Sequence, residues 1–289
     1  MKILPSSQSL DILPHPRVAF FDLDGTVVNA AGEITARVRT SIQQLQSAGV
    51  VIAVASGRPW FGARSVIEAI GAKGASLFFS GALIGDPVTG RPFKSEGISY
   101  SCAKELVQQC RAKGLYFEWY TAQEYFTETS SLLAEIHAEY LGHAPAVRPF
   151  PDEEDAGQIL KVLMMTENAE QEELAREIAN GMPQVTLGAA PGAAHPGILF
   201  VNLTSRDAER GRAFEWLLKH YGVSASEVIS IGDAESDLPF LERAGWSIAM
   251  GSAPINVKNA ARFVTGTVAN DGAAEALEAI LEALRSARS

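Results

Sequence analysis

Cysteine is scarce in this sequence: Cys102 and Cys110 are the only two among 289 residues. They stand eight positions apart in a stretch of helical character, about 12 Å at 1.5 Å per residue, too far to bridge. Free thiols of this kind fit a reducing compartment and otherwise behave as small buried hydrophobes. Positive charge is also short, with 24 Lys and Arg against 34 Asp and Glu and a net charge of -10. That balance excludes a general binder of nucleic acid or anionic membrane, because no basic surplus exists to replace phosphate counterions. An anionic substrate must therefore meet local positive charge or a metal. Long apolar runs are missing as well: none approaches the roughly 18 residues of a bilayer span. The leading MKILPSSQSLDILPHPR has polar residues and prolines where a secretory signal needs a continuous apolar core. The expectation is a cytoplasmic protein with neither a nucleic-acid nor a membrane partner, monomeric or homodimeric. His15, His137, His143, His195 and His220 show no metal-ligand spacing and read as core or solvent residues.

What is present is an ordinary globular composition, 47% hydrophobic and 20% charged, in a chain long enough for two domains of roughly 100 to 200 residues. Three short apolar runs, at 18–21, 50–55 and 228–231, each end in polar residues: Asp22, Ser56, and Gly232 with Asp233. Helical periodicity follows them, in Ile34, Val38, Ile42 and Leu45, in Phe214, Leu217, Leu218 and Tyr221, and in Ala273, Ala276, Leu277, Ile280, Leu281 and Leu284. Continuous apolar strands alternating with amphipathic helices predict an α/β fold with a parallel sheet covered on both faces. Ligands of such sheets bind beyond the carboxyl ends of the strands, where these polar residues fall.

Between the second and third runs the rhythm changes. Turn residues at 85–87 and 89–90 predict a hairpin within 83–93, followed by a helix over 100–113, aromatic strands within 115–127 and a helix over 131–141. An acidic, proline-bearing link at 149–157 leads to a strand over 159–165, a helix over 169–180, strands near Val185 and over 198–203, and an Ala/Gly/Pro-rich loop at 188–197. This block, residues 84–200, reads as an inserted mixed α/β domain, with 1–83 and 201–289 forming the parallel-sheet domain around it. Its aromatics at 116–120 and 125–126 read chiefly as core.

The chemistry concentrates at the strand ends. Asp22 and Asp24 stand one residue apart after an apolar strand. Two carboxylates that close call for a cation or a shared proton, since an isolated buried charge is prohibitively costly. Mg²⁺ prefers oxygen ligands and commonly keeps a substrate phosphate in its octahedron. Asp233 and Asp237, in IGDAESD at 231–237, offer further carboxylates from another strand end.

With these residues in view, FDLDGTVV (21–28) resembles the first motif, D-x-D-x-T, of the haloacid dehalogenase-like (HAD) superfamily, and IGDAESD resembles its fourth, G-D-x-x-x-D. VASGRP (54–59), MGSAP (250–254) and NDGAAEAL (270–277) are similar to signatures of its Cof-type branch, in which a large α/β cap of type IIB lies between the second and third motifs. The resemblance implies a Rossmann-like core with an inserted cap, and a Mg²⁺-dependent phosphatase acting on a small phosphorylated metabolite such as a sugar phosphate or a phosphorylated cofactor. It further implies that Asp22 is the nucleophile of an aspartyl-phosphate mechanism and that Asp24 is the general acid and base. Mg²⁺ would be held by Asp22, the backbone carbonyl of Asp24, and Asp233, with Asp237 supporting that shell. Ser56 and Gly57 would bind the phosphoryl oxygens, with Gly25 and Thr26 completing the loop after the nucleophile. Arg58 is a contact for substrate or a structural ion pair. The third motif usually carries a lysine where this sequence has Arg210, which preserves charge but not geometry; Arg206 and Arg212 stand nearby as alternatives. Ser80, Ser236 and Ser252 replace asparagines common in the branch, and Ser80 and Ser236 are expected to bind substrate. Phosphoryl transfer to an acceptor other than water, as in phosphomutase relatives, and ligand binding without turnover are the competing readings.

Overall fold

The computed structural model describes residues 13–192 and 195–286; most of the proline-bearing leader lies outside them. Strand β1 (Val18–Phe21) leads through α1 (Ala36–Ser47) to β2 (Val51–Val54), α2 (Trp60–Ile70) and a small meander of β3 (Ser76–Phe78), β4 (Leu83–Gly85) and β5 (Pro92–Ser95). The chain then forms α3 (Tyr100–Lys113), β6 (Tyr116–Tyr120), β7 (Tyr125–Thr127), α4 (Leu132–Leu141), β8 (Ala146–Val147), β9 (Lys161–Thr166), α5 (Ala169–Asn180), β10 (Val185–Pro191) and β11 (Leu199–Ser205). It returns with α6 (Arg210–Tyr221), β12 (Val228–Gly232), α7 (Leu238–Leu241), β13 (Trp246–Ala249), α8 (Ile255–Ala260), β14 (Phe263–Val264) and α9 (Gly272–Ser286).

The five-stranded sheet has the order β14-β13-β12-β1-β2 and is parallel throughout. Its central strand explains the apolar run of the sequence. Ala19 and Phe21 face a core shared with α1, α2 and α9, whereas Val18 and Phe20 face a second core with α6. Phe20 meets Phe214 and Phe240 edge to face, with ring centroids 6.4 Å and 5.3 Å apart. A strand covered on both faces has no position left for a polar side chain until it ends. The fold is thus the α/β, Rossmann-like core expected from the sequence, carrying an inserted α/β unit.

That unit is built on a six-stranded sheet of order β10-β11-β9-β6-β7-β8, antiparallel except for the β7–β8 pair. Phe117, Trp119, Val162, Met164, Val201 and Leu203 point from one face toward α3 and α5. On the opposite face Tyr120, Leu163 and Met165 join the same core as α2 of the parallel-sheet unit. Cys102 and Cys110 are buried on α3 as free thiols, and burial pushes the Cys110 thiol up to about 12. The start of α4 is set by Ser131, whose hydroxyl accepts from the Ala134 N–H.

One local expectation is corrected. The stretch 188–197 is not a loop from its start, because β10 continues to Pro191 with Gly188 opposite Asn202 and Pro191 opposite Leu199; residues 193 and 194 lie outside the described residues. Pairing with β11 overrides the poor strand preference of Gly and Ala, and a proline is tolerated because β10 is an edge strand. Among the described residues, no helix is long and apolar enough to cross a membrane.

Candidate active site

The ends of β1, β2 and β12 converge. Asp22 directly follows β1, and its N–H donates to Ile231 O of β12 at 3.0 Å. Asp233 follows β12, and Asp237 lies one short turn further on. Carboxylate oxygens of Asp22, Asp233 and Asp237 all come within 4.8 Å of one another. Burial, followed by the charge of Asp237, holds the Asp22 carboxyl well above the usual carboxylate range, with Arg210 opposing. Burial, then Asp237 and Asp24, pushes Asp233 up to about 6. Hard oxygen donors with unneutralised negative charge are the donor set a Mg²⁺ ion takes, so these residues fit that metal.

Asp237 is already engaged. Its Oδ2 accepts from the backbone N–H groups of Asp233 (3.1 Å) and Ala234 (3.0 Å), and its Oδ1 accepts from Arg210 Nη1 at 2.7 Å. Asp237 therefore shapes the loop that presents Asp233 and ties it to the first turn of α6. Ser236 joins through its carbonyl, which accepts from Arg210 Nη1 at 3.1 Å, not through its hydroxyl. Arg210 is 7% exposed, and its Nε is buried with no partner among the described residues. Arg212 is instead paired on the surface with Asp207 and Glu209, and Arg206 is exposed.

The loop after Asp22 turns at Gly25, which has φ +79° and where a Cβ would stand 2.3 Å from Asp233 Oδ2. Only glycine satisfies both conditions. Thr26 is fully buried, and its hydroxyl has no partner among the described residues. Ser56 is buried too, its Oγ accepting from the Arg58 N–H at 3.1 Å. Gly57 lies against Ser80, since a Cβ there would be 3.2 Å from Ser80 Oγ. Ser80 sits in the left-handed region at φ 56°, next to Phe79 at φ 51°. Two successive non-glycine residues there are strained, an arrangement that clusters at functional sites. A Cβ on Gly81 would be 2.9 Å from Ala208 O, so this turn lies directly against the chain entering α6.

Asp24 is more open than Asp22. Arg58 grips it from β2's side, with Nε donating to Oδ2 at 2.8 Å and Nη2 donating to Oδ1. Arg58 is thus an ion-pair partner of Asp24, the structural alternative of the sequence reading. The structure brings together Asp22, Asp24, Gly25, Thr26, Ser56, Gly57, Arg58, Ser80, Arg210, Asp233, Ser236 and Asp237. One contributor escaped the sequence reading: Tyr140 of α4, whose hydroxyl lies 3.5 Å from Asp24 Oδ2. No local motif marks it, because its place is set by how α4 packs.

A family model described as haloacid dehalogenase-like hydrolase matches residues 19–277. The chain belongs to that family, in its Cof-type branch. It is 26% identical to phosphatase YwpJ of Bacillus subtilis, over 90% of this chain and 98% of that one. It is 23% identical to 5-amino-6-(5-phospho-D-ribitylamino)uracil phosphatase YwtE of the same organism, over 90% and 96%. Among solved structures, a haloacid dehalogenase-like hydrolase from Bacteroides thetaiotaomicron superposes with TM-score 0.82 at 25% identity, covering 92% of this chain and 99% of that one. The HAD subclass IIB sugar phosphatase BT4131 shares the fold, with TM-score 0.75 at 20% identity and coverage of 91% and 98%.

Proposed function

We propose that this protein is a Mg²⁺-dependent phosphatase that hydrolyses a small phosphomonoester through a phosphorylated Asp22. The observation that carries the reading is the convergence of the Asp22, Asp233 and Asp237 carboxylates within 4.8 Å at the ends of parallel strands, with the Arg210 cation alongside. In this reading Asp22 attacks the phosphorus and the leaving oxygen takes a proton from Asp24, which first exchanges one arm of its Arg58 fork for that proton. Asp24 then accepts a proton from the water that releases phosphate, so that one difficult transfer becomes two easier ones. Asp22, the Asp24 carbonyl and Asp233 hold the metal, which when bound neutralises charge on the carboxylates and the transferring phosphoryl group. Asp237 fixes Asp233 and Arg210. Ser56 and the Gly57 backbone position phosphoryl oxygens, Thr26 completes the loop after the nucleophile, and Arg210 supplies positive charge beside the carboxylates, as a charge-spread transition state requires.

The inserted unit, residues 84–200, is the cap in this account, excluding bulk water and selecting the leaving group. Sugar phosphates and phosphorylated cofactors are the substrate class. The activity for which YwtE is named, on a phosphorylated ribityl compound, supports a small polyhydroxylated monoester. Phosphate release from a panel of sugar phosphates, nucleotides, pyridoxal phosphate and flavin mononucleotide, with Mg²⁺ or EDTA, tests the reading. Metal-dependent release by wild type and none by Asp22→Asn is expected; equal release by both proteins would defeat it.

A further inference from the structure

The environment of Asp24 extends into the inserted unit by a connected set of side chains. Glu118, fully buried in β6, accepts from the Tyr116 hydroxyl at 2.8 Å and from the Tyr120 hydroxyl. His137 of α4 places Nδ1 2.7 Å from Glu118 Oε2 and is itself buried. One helical turn further along α4 stands Tyr140, on the same side of the helix as His137. Phe200 packs against both, with ring centroids 5.1 Å from His137 and 6.1 Å from Tyr140. Beyond it, the Arg58 guanidinium carbon lies 5.2 Å from the centre of the Tyr140 ring. The same guanidinium forks onto Asp24 and donates to Gly62 O at 3.1 Å.

We propose that Tyr140 is a positioning residue for Asp24: its ring backs the Arg58 guanidinium and its hydroxyl abuts the carboxylate, so the acid is aimed when α4 is seated against the sheet. The inference rests on the phosphatase reading with Asp24 as proton donor. Its physical basis is that an arginine has several rotatable bonds, and a cation held against an aromatic face loses that freedom before the reaction rather than during it. The buried His137–Glu118 contact fixes the helix from which Tyr140 projects. Phe200 packs against one side of the Tyr140 ring, which is otherwise partly open to solvent.

A positioning role for a proton donor acts on esters whose leaving group must be protonated and spares those whose leaving group departs as an anion. The test measures kcat and KM with Mg²⁺ for wild type, Tyr140→Phe, Tyr140→Ala and Asp24→Asn on a hexose phosphate and on p-nitrophenyl phosphate. Tyr140→Ala is expected to lower kcat on the hexose phosphate by about tenfold or more and on p-nitrophenyl phosphate by about threefold or less, with KM changing less than kcat. Tyr140→Phe keeps the ring and is expected to recover most of the loss. Asp24→Asn should show the same selectivity more strongly. If Asp24→Asn is selective and Tyr140→Ala lowers both esters equally, or neither, the role of Tyr140 is overturned. If Asp24→Asn itself is unselective, or wild type releases phosphate from neither ester, the underlying reading fails instead.

Discussion

Asp237→Ala removes three hydrogen bonds at one stroke. The carboxylate it deletes is 3% exposed and accepts from Arg210 Nη1 and from the N–H groups of Asp233 and Ala234. Arg210 keeps Ser236 O and loses its counter-charge while remaining 7% exposed. Stranding one member of a buried ion pair costs about 3–5 kcal/mol, and each orphaned buried N–H adds about 1–3 kcal/mol unless water reaches it. With a water entering the vacated space, the expected loss is about 4–6 kcal/mol, or on the order of 10 °C or more in thermal midpoint for a chain of this size. Asp237→Asn keeps the volume and one acceptor and should lose about half as much. The double variant Arg210→Met with Asp237→Leu removes the stranded charge and should be more stable than Asp237→Ala, because the cost lies in the uncompensated cation. Urea unfolding followed by tryptophan fluorescence measures all three. An Asp237→Ala protein within about 1 kcal/mol of wild type, or a double variant less stable than it, would refute the reasoning.

Gly25→Ala forces a side chain into a φ of +79° and against Asp233 Oδ2; it should cost about 1–3 kcal/mol and, by displacing Asp233, lower turnover by about a hundredfold. Unchanged kinetics would show that the Gly25–Asp233 contact does not set the site. Lys161 is buried on the inserted sheet beside Asn202 (3.0 Å) and 4.1 Å from the Tyr120 ring centre, and burial lowers its ammonium from the usual 10.5 to about 8, with Glu118 opposing. Between those values the unfolded chain binds the extra proton, so wild type should gain on Lys161→Met by about 2–3 kcal/mol as pH rises from about 7 to about 10. Denaturation at both pH values checks this; a stability difference that does not move with pH would contradict it.

The parallel sheet was legible because β1 is buried on both faces, so its apolar run ends abruptly and the next residues, Asp22 and Asp24, stand out. The same logic exposed Ser56 and Asp233. Gly25 was legible as part of a motif, whereas the reason for glycine there, the approach of Asp233, is a contact across more than two hundred residues. Tyr140 and the Glu118–His137–Lys161 group were not legible. A charge in a strand ordinarily signals a solvated position, and only the tertiary packing that sets His137 of α4 against Glu118 of β6 and covers Lys161 turns these charges inward. β10 was misread because its strand character comes from β11, not from its own Gly and Ala. The left-handed backbone at Ser80 is likewise imposed by its surroundings, where the adjoining turn lies against the start of α6.

The central claim is that Asp22 carries the phosphoryl group, and its most direct test is to catch that group on the protein. A substrate identified from the panel, labelled with radioactive phosphorus, is mixed with excess enzyme and Mg²⁺ and quenched in acid within milliseconds, and the protein is digested. Label is expected in the peptide containing Asp22, rising and decaying at rates consistent with turnover, and none in Asp22→Asn. Rapid hydrolysis by wild type with no label on the protein at any time, or label retained in Asp22→Asn, would contradict it.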